Sequence, residues 1–87
     1  MPDLQFTPKY KRARRKKTPN MRASIDKCVE LLSMNPYHPG LHAHRVRGRK
    51  GVWQAYIDQA NRVTFQYGEN SIILRNNCTH DMPKQSP

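Results

Sequence analysis

Between Gly51 and Tyr67, two segments rich in aromatic and β-branched residues flank a polar, turn-tolerant patch from Asp58 to Asn61, and this pattern predicts a β-hairpin. No other stretch constrains the fold as strongly. In its second strand Val63, Phe65 and Tyr67 fall on one face and Arg62, Thr64 and Gln66 on the other, because side chains alternate along a strand. The first set suits a core. The second presents a guanidinium and small polar groups on a stiff platform, which is how a protein holds a phosphate in fixed geometry.

The rest of the chain supplies layers for this hairpin. Asp3 to Phe6 reads as a short strand with Leu4 and Phe6 on its buried face. Thr7-Pro8 and Thr18-Pro19 each place a capping hydroxyl before a proline at the first helical position, where a missing N–H costs nothing. The first helix, within residues 8–17, offers only Tyr10 and Ala13 for burial, and its like charges repel at i,i+3 and i,i+4. It reads as a solvated basic helix or arm, or as a nucleic-acid contact. The second, to about Met34, repeats Met21, Ile25, Cys28, Val29 and Leu32 at helical spacing, so that face packs on the sheet. Cys28 thus reads as a small buried hydrophobe.

Asn35-Pro36 ends the helix, and Pro36, Pro39 and Gly40 form a turn-rich connection. From His42 a basic strand leads to a Gly-bracketed turn, with Arg45 and Arg47 on one face and Arg49 and Lys50 at the tip. Gly68 to Asn70 makes the next turn, and Ser71 to Arg75 is apolar enough for a central strand. Residues 82–87 read as a loose tail. The expected architecture is one α+β domain spanning residues 1–87, two N-terminal helices on a twisted, mostly antiparallel sheet of four to five strands.

Charge bears on partners. At 87 residues the formal charge is +10, a field that draws polyanions and speeds their encounter. Nucleic acid and an acidic protein are the leading candidates. Two cysteines, Cys28 and Cys78, make no disulfide framework, and no segment approaches the ~20 apolar residues of a membrane span. With no export-length apolar stretch near Met1, a cytoplasmic protein is expected.

Phosphate loops, nucleophile elbows and Cys-x-x-Cys pairs are absent. His38, His42 and His44 cluster, but no suitably spaced cysteine or further histidine completes a zinc site, so neither metal nor cofactor is expected. Arg62, His80 and the cations from His42 to Lys50 suit RNA cleavage better. There the substrate's own 2′-hydroxyl attacks, and the protein has only to align it, offset phosphate charge and move protons.

The segments Asn35-Pro-Tyr-His-Pro-Gly-Leu-His-Ala-His-Arg-Val-Arg-Gly48, Val52-Trp-Gln-Ala-Tyr-Ile57, Asn61-Arg-Val-Thr-Phe65, Ile72-Ile-Leu and Thr79-His-Asp81, taken in this order, resemble the RelE/ParE superfamily of toxins from bacterial type II toxin–antitoxin pairs. The resemblance implies a RelE-like fold and an enzyme that enters the ribosomal A site and cuts mRNA, leaving a 2′,3′-cyclic phosphate. It also implies a cognate acidic antitoxin covering the basic surface in a hetero-oligomer. By position Arg62 matches the phosphate-binding arginine and His80 the terminal histidine that acts as acid or base. Arg45, Arg47 and Arg49 match the RNA-gripping face, which Lys50 and Arg75 extend. Two features depart from the pattern: no aromatic residue follows His80, and Pro39-Gly40-Leu41 stands where related toxins carry a glutamate. His44 is the candidate replacement base, against a structural role for it, and Asp81 either orients His80 or caps the last turn. The alternatives are a ParE-like toxin that binds a topoisomerase without RNase chemistry, and a non-toxic basic nucleic-acid-binding module.

Overall fold

The structure, a computed structural model, describes residues 3–79. The elements run β1 (Asp3–Phe6), α1 (Pro8–Arg15), α2 (Pro19–Met34), a 3₁₀ turn (Pro39–Leu41), β2 (His44–Arg45), β3 (Trp53–Asp58), β4 (Asn61–Gly68) and β5 (Ser71–Thr79). The five strands form one sheet in the order β1-β5-β4-β3-β2, with β1 parallel to β5 and every other pair antiparallel. Both helices lie on one face.

The local reasons are those of the sequence. Thr7 and Thr18 sit in extended conformation at the helix starts, where their hydroxyls accept from the Tyr10 and Met21 N–H groups. Ile25, Cys28, Val29 and Leu32 of α2 bury against Ala55, Val63, Phe65, Ile72 and Leu74 of the sheet, joined by Tyr10 from α1. Burial, helped by nearby Asp26, pushes the Tyr10 phenol pKa well above its ordinary value. A bidentate pair from Arg14 to Asp26, at 2.8 and 2.6 Å, joins α1 to α2.

The structure differs from the sequence expectation in four places. Strand β2 is two residues long, because His42 takes a left-handed conformation (φ 45°) at the end of the 3₁₀ turn and the chain turns again after Arg45. Arg47 and Arg49 therefore sit in a loop, and Arg45 and Arg47 share no strand face. Phe6 is 41% and Tyr67 43% exposed, since each lies at the margin of the helix-covered area. Thr64 is fully buried although its strand parity places it on the face away from the helices, and its hydroxyl donates to the Asn76 carbonyl at 3.4 Å. Lastly, β5 continues past Arg75 to Thr79 and carries two asparagines in the ladder. Asn77 faces the core and donates from Nδ2 to the Tyr10 carbonyl at 3.1 Å, a tertiary partner that offsets its burial.

Candidate nucleic-acid interface

The face of the sheet without helices is defined by register. Trp53 pairs with Phe65 and Ala55 with Val63 on the helix side, so Gln54 opposite Thr64 and Tyr56 opposite Arg62 emerge on the other. His44 pairs with Gln54 and Asn76 with Thr64, and the four residues form one row across β2, β3, β4 and β5. Tyr56, Arg62 and Cys78 form the next row.

Arg62 and His44 are both held by backbone carbonyls. Arg62 Nη1 donates to the carbonyls of Asp58 (2.6 Å), Asn61 (2.9 Å) and Gln59 (3.4 Å), and its guanidinium lies 4.9 Å from the centre of the Tyr56 ring. The arginine is thus clamped onto the hairpin turn, where it secures the turn's carbonyls, instead of standing free at the middle of the platform. The His42 ring also meets Tyr56, in an edge arrangement with ring centres 5.5 Å apart. Tyr56 is the residue that joins these parts. Strand alternation applied to β3 as well as β4 finds it, since it shares parity with Gln54.

His44 is exposed, and its Nδ1 lies 2.7 Å from the His42 carbonyl. A carbonyl oxygen only accepts, so Nδ1 carries the proton, and in the neutral ring Nε2 keeps its lone pair. That is the tautomer a general base needs. The two-strand offset puts the Cα atoms of His44 and Arg62 about 12 Å apart, a span bridged by Tyr56.

The cations divide. Arg45, opposite Trp53, belongs to the helix-side parity, and its guanidinium lies 5.4 Å from the Trp53 ring centre. It does not share the face of His44 and Arg62. Arg47 is exposed in the loop. Two overlapping turns build that loop: Arg49 N–H donates to the Val46 carbonyl and Val52 N–H to the Arg49 carbonyl, both at 3.2 Å. Gly48 and Gly51 stand third in each with φ of 81° and 76°, a conformation glycine adopts without strain. The loop brings Arg49 and Lys50 to a concavity that Gln66 and Arg75 also line. Three of the five RNA-binding candidates, Arg49, Lys50 and Arg75, thus meet. His80 and Asp81 lie outside the described residues; β5 ends at Thr79, opposite Asn61 and beside the Arg62 row.

Cys28 is buried, and its thiol donates to the Tyr56 carbonyl at 3.3 Å. Desolvation raises its pKa to about 11, away from the range of a reactive thiolate. No helix among the described residues is long and apolar enough to cross a membrane.

At the level of sequence no family model and no curated protein matches the chain. Solved structures do match. A toxin from Helicobacter pylori, in a copper-bound mutant form, superposes with a TM-score of 0.75 at 15% identity over 92% of this chain and 96% of its own. A YoeB/ParE toxin from Agrobacterium tumefaciens gives 0.75 at 14% identity over 90% and 98% of the two chains. A chain of the RelBE2 toxin–antitoxin complex from Mycobacterium tuberculosis gives 0.74 at 17% identity over 92% and 100%. Two helices on one face of a five-stranded mixed sheet, over nearly the full length of each neighbour, is the fold of the RelE- and YoeB-type toxins of toxin–antitoxin systems.

Proposed function

We propose that the protein is the toxin of a type II toxin–antitoxin pair and a ribosome-dependent endoribonuclease that cuts mRNA in the A site. The observation that carries this reading is the helix-free face, where an exposed histidine with Nε2 available as base shares the sheet face with an arginine fixed by three turn carbonyls. The RelE/YoeB-type fold supports it.

In this mechanism the 2′-hydroxyl attacks the adjacent phosphorus and forms a 2′,3′-cyclic phosphate, and the 5′-oxygen leaves. His44 Nε2 accepts the 2′-hydroxyl proton, and the His80 imidazolium delivers one to the leaving oxygen. Arg62 offsets the charge that builds on the phosphoryl oxygens from Nη2 and Nε, since the turn bonds all use Nη1. Tyr56, against the Arg62 guanidinium, offers a ring on which a base can stack. The basic rim of Arg47, Arg49, Lys50 and Arg75 attracts the RNA backbone, with Arg45 contributing from the edge. A cognate acidic antitoxin covers the same field in the resting pair; among the matching structures are the YoeB-YefM complex from Staphylococcus aureus and the RelBE toxin–antitoxin complex from E. coli.

Purified protein is expected to cut mRNA on programmed ribosomes. Arg62→Ala and His80→Ala are each expected to lose about 100-fold or more in rate, the usual scale of charge-stabilising and acid–base groups. Wild-type rates in both variants would overturn the assignment.

A further inference from the structure

Two non-glycine residues among those described have a positive φ. Asn70 is one, in the tight turn between β4 and β5, where asparagine takes this conformation routinely. His42 is the other, with φ 45° and ψ 40°, at the end of the 3₁₀ turn. A histidine in the left-handed region is uncommon, and such a backbone persists only where its surroundings hold it. Here they do so from three sides. Leu41, the residue before it, is buried in the core. The turn is closed by the Leu41 and His42 N–H groups, which donate to the His38 and Pro39 carbonyls at 3.0 and 3.2 Å, and by the Gly40 N–H, which donates to His38 Nδ1 at 3.0 Å. The His42 ring lies against Tyr56.

This conformation aims a carbonyl at a neighbouring imidazole. His44 Nδ1 lies 2.7 Å from the His42 oxygen. With a lone pair on Nδ1 two acceptors would face each other at that distance; with a proton there the contact is a hydrogen bond. A free histidine side chain carries its neutral proton mainly on Nε2, so the carbonyl reverses the ring's ordinary preference. The pairing of β2 fixes the rest: His44 stands opposite Gln54, which puts it on the helix-free face, and Nε2 keeps its lone pair on the far side of the ring.

We propose that His42 is a positioning residue for the ribonuclease reaction, its left-handed main chain selecting the tautomer of His44 and aiming Nε2 at the 2′-hydroxyl. The 2′-hydroxyl as target rests on the ribonuclease reading; the hold of His42 on the His44 ring does not. A carboxylate behind a catalytic histidine fixes tautomer and orientation and also stabilises the imidazolium. A carbonyl supplies the first two with only a dipole for the third. Because the acceptor belongs to the main chain, position 42 needs no particular side chain for this role, only one that tolerates positive φ.

The test is ¹⁵N NMR of the imidazole rings near about pH 8, where an ordinary histidine is neutral, with mRNA cleavage on programmed ribosomes measured alongside. His44→Gln identifies the His44 signals by their loss. The wild-type ring is expected to be the Nδ1–H tautomer. His42→Val, whose branched side chain excludes positive φ, is expected to return His44 mostly to Nε2–H and to lower kcat about tenfold with KM within about twofold. His42→Asn, which tolerates the left-handed region, is expected to keep the Nδ1–H tautomer and a rate within about threefold of wild type. A wild-type His44 protonated on Nε2 overturns the proposal, and that result requires no variant to fold. The Nδ1–H tautomer surviving in His42→Val, or lost as fully in His42→Asn as in His42→Val, overturns it too, as does a changed tautomer at wild-type kcat. A tautomer that depends on His42 in a protein that does not cut mRNA on ribosomes sustains the hold on His44 and removes the ribonuclease reading.

Discussion

Two parts of this molecule carry dense positive charge, and they carry it differently. On α1, Lys9, Lys11, Arg12 and Arg15 extend into solvent from a helix of eight residues that buries only Tyr10. On the helix-free face of the sheet, Arg62 is clamped by turn carbonyls and Tyr56, and Arg75 by Gln66. Charge on long, solvated side chains raises the local concentration of a polyanion and is screened by salt. Charge held in a fixed orientation is already aligned for a particular oxygen, and little entropy remains to be lost on binding. Charge density attracts a partner; immobility positions it.

The two regions are not independent, for the sheet stays stiff because the helix layer is packed behind it. The most direct way to break the contrast is Phe65→Ala, which empties the core beneath β4. It should cost about 3–5 kcal/mol, read as a lower urea midpoint at unchanged slope, and it should soften the open face with it.

The contrast itself is sharpened by Arg62→Lys set against the double change Lys11→Ala/Arg15→Ala. The first keeps charge and loses geometry, and about a 10–100-fold fall in mRNA cleavage is expected, roughly the worth of a fork that lysine cannot reproduce. The second loses charge without touching a held group. Its defect should be in association and should shrink at high salt. Equal defects at all salt concentrations would erase the distinction.

Hydrogen bonds between the layers offer two further tests. At one, the Cys28 thiol donates to the Tyr56 carbonyl, and burial lifts its pKa from 9.0 to about 11. A raised acid pKa means that the folded state holds the proton longer than the unfolded chain does. The associated stability is full below about pH 9 and declines as pH climbs toward 11, by an amount on the order of 2 kcal/mol. Stability measured across that window should fall less steeply in Cys28→Ala than in the wild type. At the other joint, the Thr7 hydroxyl accepts from the Tyr10 N–H and donates to the Arg75 carbonyl at 2.8 Å, tying the start of α1 to β5. Thr7→Ala should cost about 1–2 kcal/mol, with hydrogen exchange rising at both places. The smallest effect is expected at Arg14 and Asp26, an exposed pair for which a double-mutant cycle should give about 0.2–1 kcal/mol that fades with salt.

The legible parts of the chain are those whose physics is local. Thr-Pro marks both helix starts because cap and missing donor act within one turn. The β3–β4 hairpin follows from alternation on either side of Asp58 to Asn61, where the Asp58 carboxylate accepts from the Ala60 N–H and the Asn61 amide. Of the site, Arg62 and His44 fall on one sheet face, as a parity reading allows once β2 is in register. Arg45 does not, because His44 and Arg45 are the whole of β2 and neighbours in a strand point opposite ways.

By itself the sequence determined two capped helices, an amphipathic hairpin and a strong positive field, since capping, periodicity and composition need no distant partner. Only the tertiary structure decided where the charges sit relative to one another. Asn77, beyond the apolar run of β5, is accommodated inside the ladder only because the Tyr10 carbonyl gives its amide a partner. The β-bulge at Arg75, where Thr64 faces Asn76 and Phe65 faces Leu74, arises from register between β4 and β5, fixed by β1 and α1 packing on one side and by the hairpin on the other. Register is a property of paired strands, so no single segment encodes it, and with it goes the geometry of the pocket where Arg49, Lys50 and Arg75 meet.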